Sequence, residues 1–166
     1  MICCSLFSFQ IQLVCALILD GTAVSAQVLM SRSMGTMKKV KSLVSYMLKF
    51  AGLQGLVTTL LLFGAAPFLP GMFTTDPAII GHLQKLMPQL AWQQILVSLT
   101  LVAESLAIGG NQFKLLAAGT TVSTVLSMLQ LSQATDIATI WSRGIVTLFV
   151  GCLATAMFGI LKLVKT

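Results

Sequence analysis

Long apolar runs, separated by short polar stretches, set the pattern of this chain. The runs extend roughly from Met1 to Met30, Leu43 to Met72, Pro88 to Ile108, Leu115 to Leu131 and Ile137 to Val164. A helix needs about 20 apolar residues to cross a bilayer, and each run comes near or above that length. The expected fold is therefore all-α: a polytopic membrane helix bundle of about five transmembrane helices, forming a single membrane domain over residues 1–166. The first run lacks the positively charged start of a secretory signal, and its apolar stretch is too long for one. It also begins abruptly, so the chain is expected to start inside or just before a membrane helix and to belong to a larger unit.

The punctuation between the runs agrees with this division. Ser31 to Lys41 is polar and basic, and reads as a loop on a membrane surface. Pro67 and Pro70 are expected to break or kink the second helix as it leaves the bilayer. Thr75-Asp76-Pro77 reads as a turn, or as a helix N-cap followed by proline at the first helical position. Pro88 is expected to open the third span. Gly109, Gly110 and Asn111 are expected to end it, as such residues do at helix C-termini. The fourth run carries Ala117, Ala118, Gly119, Thr120, Thr121, Ser123 and Thr124, small residues that let helices approach closely in lipid. Ser132, Gln133, Thr135 and Asp136 make the next loop.

Composition narrows the setting. Of 166 residues, 57% are hydrophobic and only 8% charged, against about 25% charged in soluble domains. The mean hydropathy is +0.97. These values imply an integral, multi-pass membrane protein whose first partner is the lipid bilayer. The net charge of +6 does not imply nucleic acid, because the basic residues flank the apolar runs and form no stripe with interleaved aromatics. Arg32, Lys38, Lys39, Lys41, Lys114, Lys162 and Lys165 collect on one side, and Lys85 and Arg143 on the other. By the positive-inside rule the C-terminus faces the cytoplasm, or the stroma if the membrane is a plastid's. Cys3, Cys4, Cys15 and Cys152 form no CxxC motif and read as small buried hydrophobes. His82 reads as a surface residue without metal-ligand neighbours. No nucleophile-and-base motif, phosphate loop or metal cluster is visible, so neither an enzyme, a cofactor nor a metal site is expected.

Chemistry concentrates in two acids inside the apolar runs. Asp20 lies in the first and Glu104 in the third, in a chain with four acids. A carboxylate in hydrocarbon costs several kcal/mol unless it lines a cavity or finds a partner, so both are candidates for coupling to a cation or a proton. Gln27 shares a helical stripe with Asp20, while Thr22 and Ser25 point elsewhere. Gln89, Gln93, Thr100 and Glu104 fall at spacings of four and seven residues along one face. Gln27, Gln93 and Thr100 are therefore candidate substrate-cavity residues. A carboxyl group in such a low-dielectric stripe suits loading and release of a proton. The alternatives are polar clusters that only pack helices and, for Glu104, a helix end near the headgroups. Arg143 with Trp141 reads as a cationic and aromatic interfacial anchor, with a substrate-anion role as the alternative. Asp76 reads as a turn residue.

Three segments, taken in order, resemble one family. They are Leu19-Asp20-Gly21-Thr22-Ala23-Val24-Ser25-Ala26-Gln27 with Ser31 to Gly35 after it; Phe73-Thr74-Thr75-Asp76-Pro77 with Ile79-Ile80; and Leu101-Val102-Ala103-Glu104-Ser105 with Gly109-Gly110 and Gln112-Phe113. Together they resemble the C-terminal half of the multidrug and toxic compound extrusion (MATE) transporters, closest to the DinF-like branch with its plastid-type members of plants and algae. The resemblance implies helices eight to twelve of a twelve-helix, two-lobed antiporter, without the N-terminal lobe and helix seven. It implies export of organic compounds or metabolites, multidrug and xenobiotic efflux among them, in exchange for H⁺ or Na⁺ by alternating access. It assigns the coupling role to Glu104 and matches Asp20 to the Asp-Gly of helix eight. Where many members have glycine after the acid, this chain has Ser105. The partners implied are H⁺ or Na⁺, a small organic substrate, and a missing N-terminal lobe or a second copy. The host membrane implied is the plastid envelope, with the plasma or vacuolar membrane as alternatives.

A reading from a different class is a non-transporting membrane scaffold or subunit that uses its polar stripes for helix packing. A lipid or oligosaccharide flippase would carry more cationic residues within the spans than this sequence does.

Overall fold

The computed structural model describes residues 2–73, 77–133 and 139–165. Among the described residues six α-helices follow one another: α1 (Ile2–Ser33), α2 (Met37–Ala65), the short α3 (Leu69–Phe73), α4 (Pro77–Gly109), α5 (Phe113–Leu131) and α6 (Val146–Lys165), the last preceded by a π-helical turn, Ile140–Ile145. No strand occurs among the described residues. Among the described residues four helical segments are long and apolar enough to cross a membrane: Ser8–Ser33, Met37–Ala65, Leu83–Gly109 and Arg143–Val164. That is the mark of an integral membrane protein.

The fourth expected span, Leu115–Leu131, forms the helix α5, which among the described residues is not one of those four segments. Lys114, Gln130 and a series of hydroxyls interrupt it. Those hydroxyls are satisfied inside the helix. Thr120, Thr121, Ser123 and Thr124 each donate to the carbonyl one turn back, at 2.7–2.9 Å, as hydroxyls do in apolar surroundings.

Three boundaries differ from the sequence expectation. The loop expected over Ser31–Lys41 shrinks to a turn around Met34–Thr36, and Lys38, Lys39 and Lys41 ride exposed on the first turns of α2. Thr36 is extended and makes no side-chain cap, but its carbonyl accepts from Lys39 N at 3.0 Å and Val40 N at 3.1 Å. A basic stretch with no helix breaker of its own has no reason to stay unwound. The second span stops at Ala65 rather than Met72, because Pro67 and Pro70 follow; Pro70 falls in the first turn of α3, where a missing N–H costs nothing. Pro88 does not open the third span. It lies within α4, which starts at Pro77 and runs unbroken to Gly109. The proline removes one ladder bond, which a helix held by neighbours on several sides tolerates. The expected cap at Asp76 and the loop at Thr135–Asp136 lie outside the described residues.

Helix α4 is the axis of the bundle. It packs against α1, α2 and α6, while α5 packs mainly on α6 and on the π turn before it. Two apolar clusters form along it. One joins Ile11 and Cys15 of α1, Leu62 of α2 and Met87, Leu90 and Ala91 of α4. The other joins Ala26 and Met30 of α1, Met47 and Ala51 of α2, Val102, Ala103, Leu106 and Ala107 of α4, Leu116 of α5, and Ala156 and Ile160 of α6.

Glycine permits the closest approaches. A Cβ on Gly55 would stand 2.8 Å from Ile95 Cα, and one on Gly109 would stand 2.8 Å from Met30 Cβ and against the Gln27 carbonyl. Gly109 therefore serves the α1–α4 contact as much as the helix end. The reversal itself falls to Asn111, at φ 59°. Asn111 N bonds Ile108 O at 2.9 Å and Gln112 N reaches back to Ala107 O at 3.0 Å, which closes the helix in the left-handed manner. Small residues act similarly between α5 and α6, where Gly119 meets Thr155 and Gly151 meets Ser123.

These contacts separate two kinds of glycine-like position. Gly109→Val is expected to destabilise the bundle by about 1–3 kcal/mol through overpacking, whereas Asn111→Gly is expected to be neutral or mildly stabilising at its positive φ. Thermal unfolding of the detergent-solubilised protein, followed by circular dichroism, reads both.

Candidate functional site

A polar layer separates the two apolar clusters of α4. Gln93, Gln94 and Ser98 are wholly buried and Thr100 is 2% exposed. They point in different directions around the helix, and each helix neighbour supplies a partner. Gln94 Nε2 donates to Gln12 Oε1 of α1 at 2.7 Å and to its own Leu90 carbonyl at 3.2 Å. Ser98 donates to the Ala51 carbonyl of α2 at 2.7 Å, and Thr59 of α2 returns a bond to the Ala91 carbonyl at 2.8 Å. Thr100 donates to Leu96 O at 2.7 Å and reaches Phe149 O of α6 at 3.3 Å. The layer is not fully matched: Gln12 Nε2 and Gln94 Oε1 are buried without a partner.

The two acids share a depth but not a neighbourhood. The Gln12–Gln94 bond pairs residues 82 apart, and the Gln27–Gly109 contact has the same offset. That parallel register puts Asp20 level with Val102, two residues before Glu104, or about 3 Å along the axis. Asp20 is exposed on the outer face of α1, among the exposed apolar residues Leu17, Ile18 and Val24. Glu104 is half-buried where α4, α5 and α6 meet. The Cys152 thiol of α6 lies beside its carboxylate and beside Ser123. A groove of about 260 Å³ beside it is lined by Glu104, Ile108, Phe113, Leu116, Ala117 and Thr120.

The remaining candidates fall as follows. Gln27 is half-buried at the α1–α4 contact, where its carbonyl also accepts from Ser31 at 2.9 Å. Gln93 and Thr100 lie in the packed polar layer, away from the outer surface. Thr22, on a different face from Asp20, donates to Gln54 Oε1 of α2 at 2.8 Å, and a cavity of about 350 Å³ opens there between Gly21, Thr22, Ser25, Tyr46, Met47 and Phe50. The structure thus brings Gln93 and Thr100 together in one layer, puts Glu104 one turn beyond Thr100, and leaves Asp20 on a separate face.

The residues around Glu104 limit what it can hold. Glu104 and Thr120 are the groove-lining residues with side-chain oxygens, and the Thr120 hydroxyl is committed to Leu116 O at 2.9 Å. Hard cations take about six oxygen ligands, so this donor set fits a proton better than a metal ion. Among the described residues no group of three or more His, Cys, Asp or Glu comes together.

Sequence reasoning missed Gln12 and Cys152 as partners. Gln12 carried a signal, as a lone amide in an apolar run. Cys152 carried none, since a cysteine in such a run reads as a hydrophobe until the fold sets it against a carboxylate. Arg143 is exposed; the side chains of Trp141 and His82 lie outside the described residues. Cys15 and Cys152 are buried and unbridged. The basic residues Arg32, Lys38, Lys39, Lys41, Lys114 and Lys162 lie at one end of the bundle, where the α1–α2 turn, the end of α4 and the end of α6 converge through the Gly109–Met30 and Gly110–Leu163 contacts.

No family model, curated protein or solved structure matches the chain.

The half-matched amides give a test of the layer. Gln94→Leu alone strands Gln12 and is expected to cost about 1–3 kcal/mol, whereas Gln12→Leu with Gln94→Leu removes both partners and is expected to recover most of that loss. A double-mutant cycle by reversible unfolding in detergent should return a coupling near the ~0.6–1.7 kcal/mol typical of interhelical hydrogen bonds in membranes.

Proposed function

We propose that this chain is one lobe of a secondary antiporter of the MATE type, exporting organic compounds or metabolites in exchange for a cation, with Glu104 as the coupling group. One observation carries the reading: a carboxylate lies within the longest helix, five residues before its end at Gly109, half-buried at a junction of three helices, with a groove beside it. An acid in that position is expensive to keep and is functional by default. The limited oxygen set favours H⁺ over Na⁺. Protonation of Glu104 would remove a charge beside the Cys152 thiol and so change how α4 meets α6. That is the differential interaction a proton needs in order to bias one conformation over another. Asp20 fits the same scheme as a second acid at the same depth, facing what the lobe would pack against. The basic end faces the cytoplasm or stroma in this reading, in a plastid envelope or another cellular membrane.

A second reading, a non-transporting scaffold, draws on the polar layer. Its amides and hydroxyls are spent on helix-to-helix bonds among Gln12, Gln94, Ser98 and Thr59. Both readings predict a stable bundle; they differ at Glu104.

The discriminating experiment reconstitutes the full chain in liposomes and follows collapse of an imposed pH gradient on addition of ethidium as a cationic probe. Wild type is expected to exchange. Glu104→Gln is expected to lower the rate at least about tenfold, equivalent to about 1.4 kcal/mol of lost coupling, while Glu104→Asp keeps part of it. Equal rates for wild type and Glu104→Gln, with the Gln12→Leu/Gln94→Leu variant still altering stability, would leave the scaffold reading standing.

A further inference from the structure

A second polar feature lies away from Glu104 and plays no part in the transport reading. At the far end of the α5–α6 pair, a cavity of about 420 Å³ is lined by Gln130 of α5, by Gln133 in the turn after it, by Thr139 and Arg143 at the π turn, and by Thr147 of α6. Every one of these residues is polar, in a chain where such residues are scarce. Arg143 is exposed, and no acid lines the cavity among the described residues.

The local hydrogen bonds orient the lining. Thr147 Oγ1 donates to Gln130 Oε1 at 2.8 Å. With its oxygen engaged, Gln130 has its amide N–H groups left for the cavity. Ser127 donates to the Gly144 carbonyl at 2.7 Å, which fixes the π turn to α5 and with it the backbone that carries Arg143. The π turn widens the helix by one residue at this point, and such turns are found at functional positions. The result is a recess with one guanidinium fork and several neutral N–H or O–H donors. Arginine binds oxyanions in two-pronged fashion through parallel N–H bonds, and a neutral amide beside it adds donors without repulsion.

Depth narrows the ligand class further. Arg143 is the first residue of the candidate span Arg143–Val164. The ends of membrane spans lie near the lipid phosphates, where arginine side chains seek the interface. We propose that Arg143, Gln130, Gln133 and Thr147 form a phosphate-binding site, whose occupant is the phosphate of a lipid headgroup or of a soluble phosphate ion. The chemistry is the same in both cases: an oxyanion seated on the guanidinium, with the Gln130 amide donating from α5. An occupant of this kind would tie α5 to the π turn ahead of α6.

The two sources separate experimentally. Native mass spectrometry of the detergent-released full chain measures retained phosphatidylglycerol against diacylglycerol, which lacks the phosphate. Isothermal titration with inorganic phosphate measures the soluble source. Arg143→Gln is expected to lower whichever signal is present by about tenfold, the worth of a charge-assisted hydrogen-bonding pair. Arg143→Lys, which keeps charge and loses the fork, is expected to fall between. Thr147→Val frees the Gln130 oxygen to turn inward and is expected to weaken binding about threefold, an effect below a full hydrogen bond. Lys38→Gln with Lys39→Gln, at the opposite end of the bundle, controls for nonspecific retention and is expected to leave the Arg143-dependent part unchanged. Retention of phosphatidylglycerol sensitive to Arg143 identifies a lipid site, and titration by inorganic phosphate sensitive to Arg143 identifies a soluble one. Signals equal in wild type and Arg143→Gln, at unchanged helical content, would overturn the proposal, as would loss in Arg143→Gln matched by equal loss in the lysine control.

Discussion

A helix surrounded on several sides in an apolar medium must find partners for its polar side chains within the bundle or expose them at great cost. Helix α4 meets that constraint by pairing in several directions: Gln94 toward α1, Ser98 toward α2 and Thr100 toward α6, with Glu104 beside the Cys152 thiol. The bonds to backbone carbonyls at Ala51 and Phe149 matter especially. A carbonyl that already belongs to a helix ladder has a second lone pair to offer, so a serine or threonine can use it without breaking the neighbouring helix. Close approach makes those bonds possible, and glycine at positions 55 and 109 makes the approach possible. Packing and polarity are thus one constraint seen from two sides.

Much of this was legible in the residues. Apolar run length gave the helices, because in lipid the backbone has few other ways to satisfy itself. Gly119 and Ser123 marked a close contact, and they meet Thr155 and Gly151. The Gln93–Thr100–Glu104 stripe was visible from spacing alone, and the first two of those are buried together. What failed were the boundaries that depend on context. Pro88 reads as a start because proline usually ends helices, yet neighbours on several sides hold α4 straight through it. Lys38 to Lys41 read as a loop because charges border membranes, yet nothing in their backbone preferences opposes a helix. The π turn left no trace in the sequence pattern; the Ser127 bond to the Gly144 carbonyl that accompanies it joins residues of two different elements.

The candidate site was legible as residue types and illegible as company. Asp20 and Glu104 stood out as rare acids, and the parallel register of α1 and α4 does set them at one depth. Which face each occupies depends on the helix rotation that packing selects. Asp20 turns outward next to Leu17 and Ile18, while Glu104 turns toward α5 and α6. An acid on an apolar outer face and an acid at an inner junction are different problems for the protein. The first asks for a covering surface, and the second asks only for a proton or a thiol.

The six-residue π turn ahead of α6 carries a consequence for how this chain tolerates change. Each π-type turn holds one more residue than an α turn, so it offsets the angular phase of everything on its N-terminal side by about 100°. Contacts of α6 downstream, such as Cys152 with Glu104 and Thr155 with Gly119, are keyed to one phase; Arg143 is keyed to another. A single-residue deletion within Ile140–Ile145 could be absorbed as plain α-helix, leaving the carboxylate junction in place while swinging the arginine off its recess. Evolution could therefore retune one end of this hairpin by indel without touching the other.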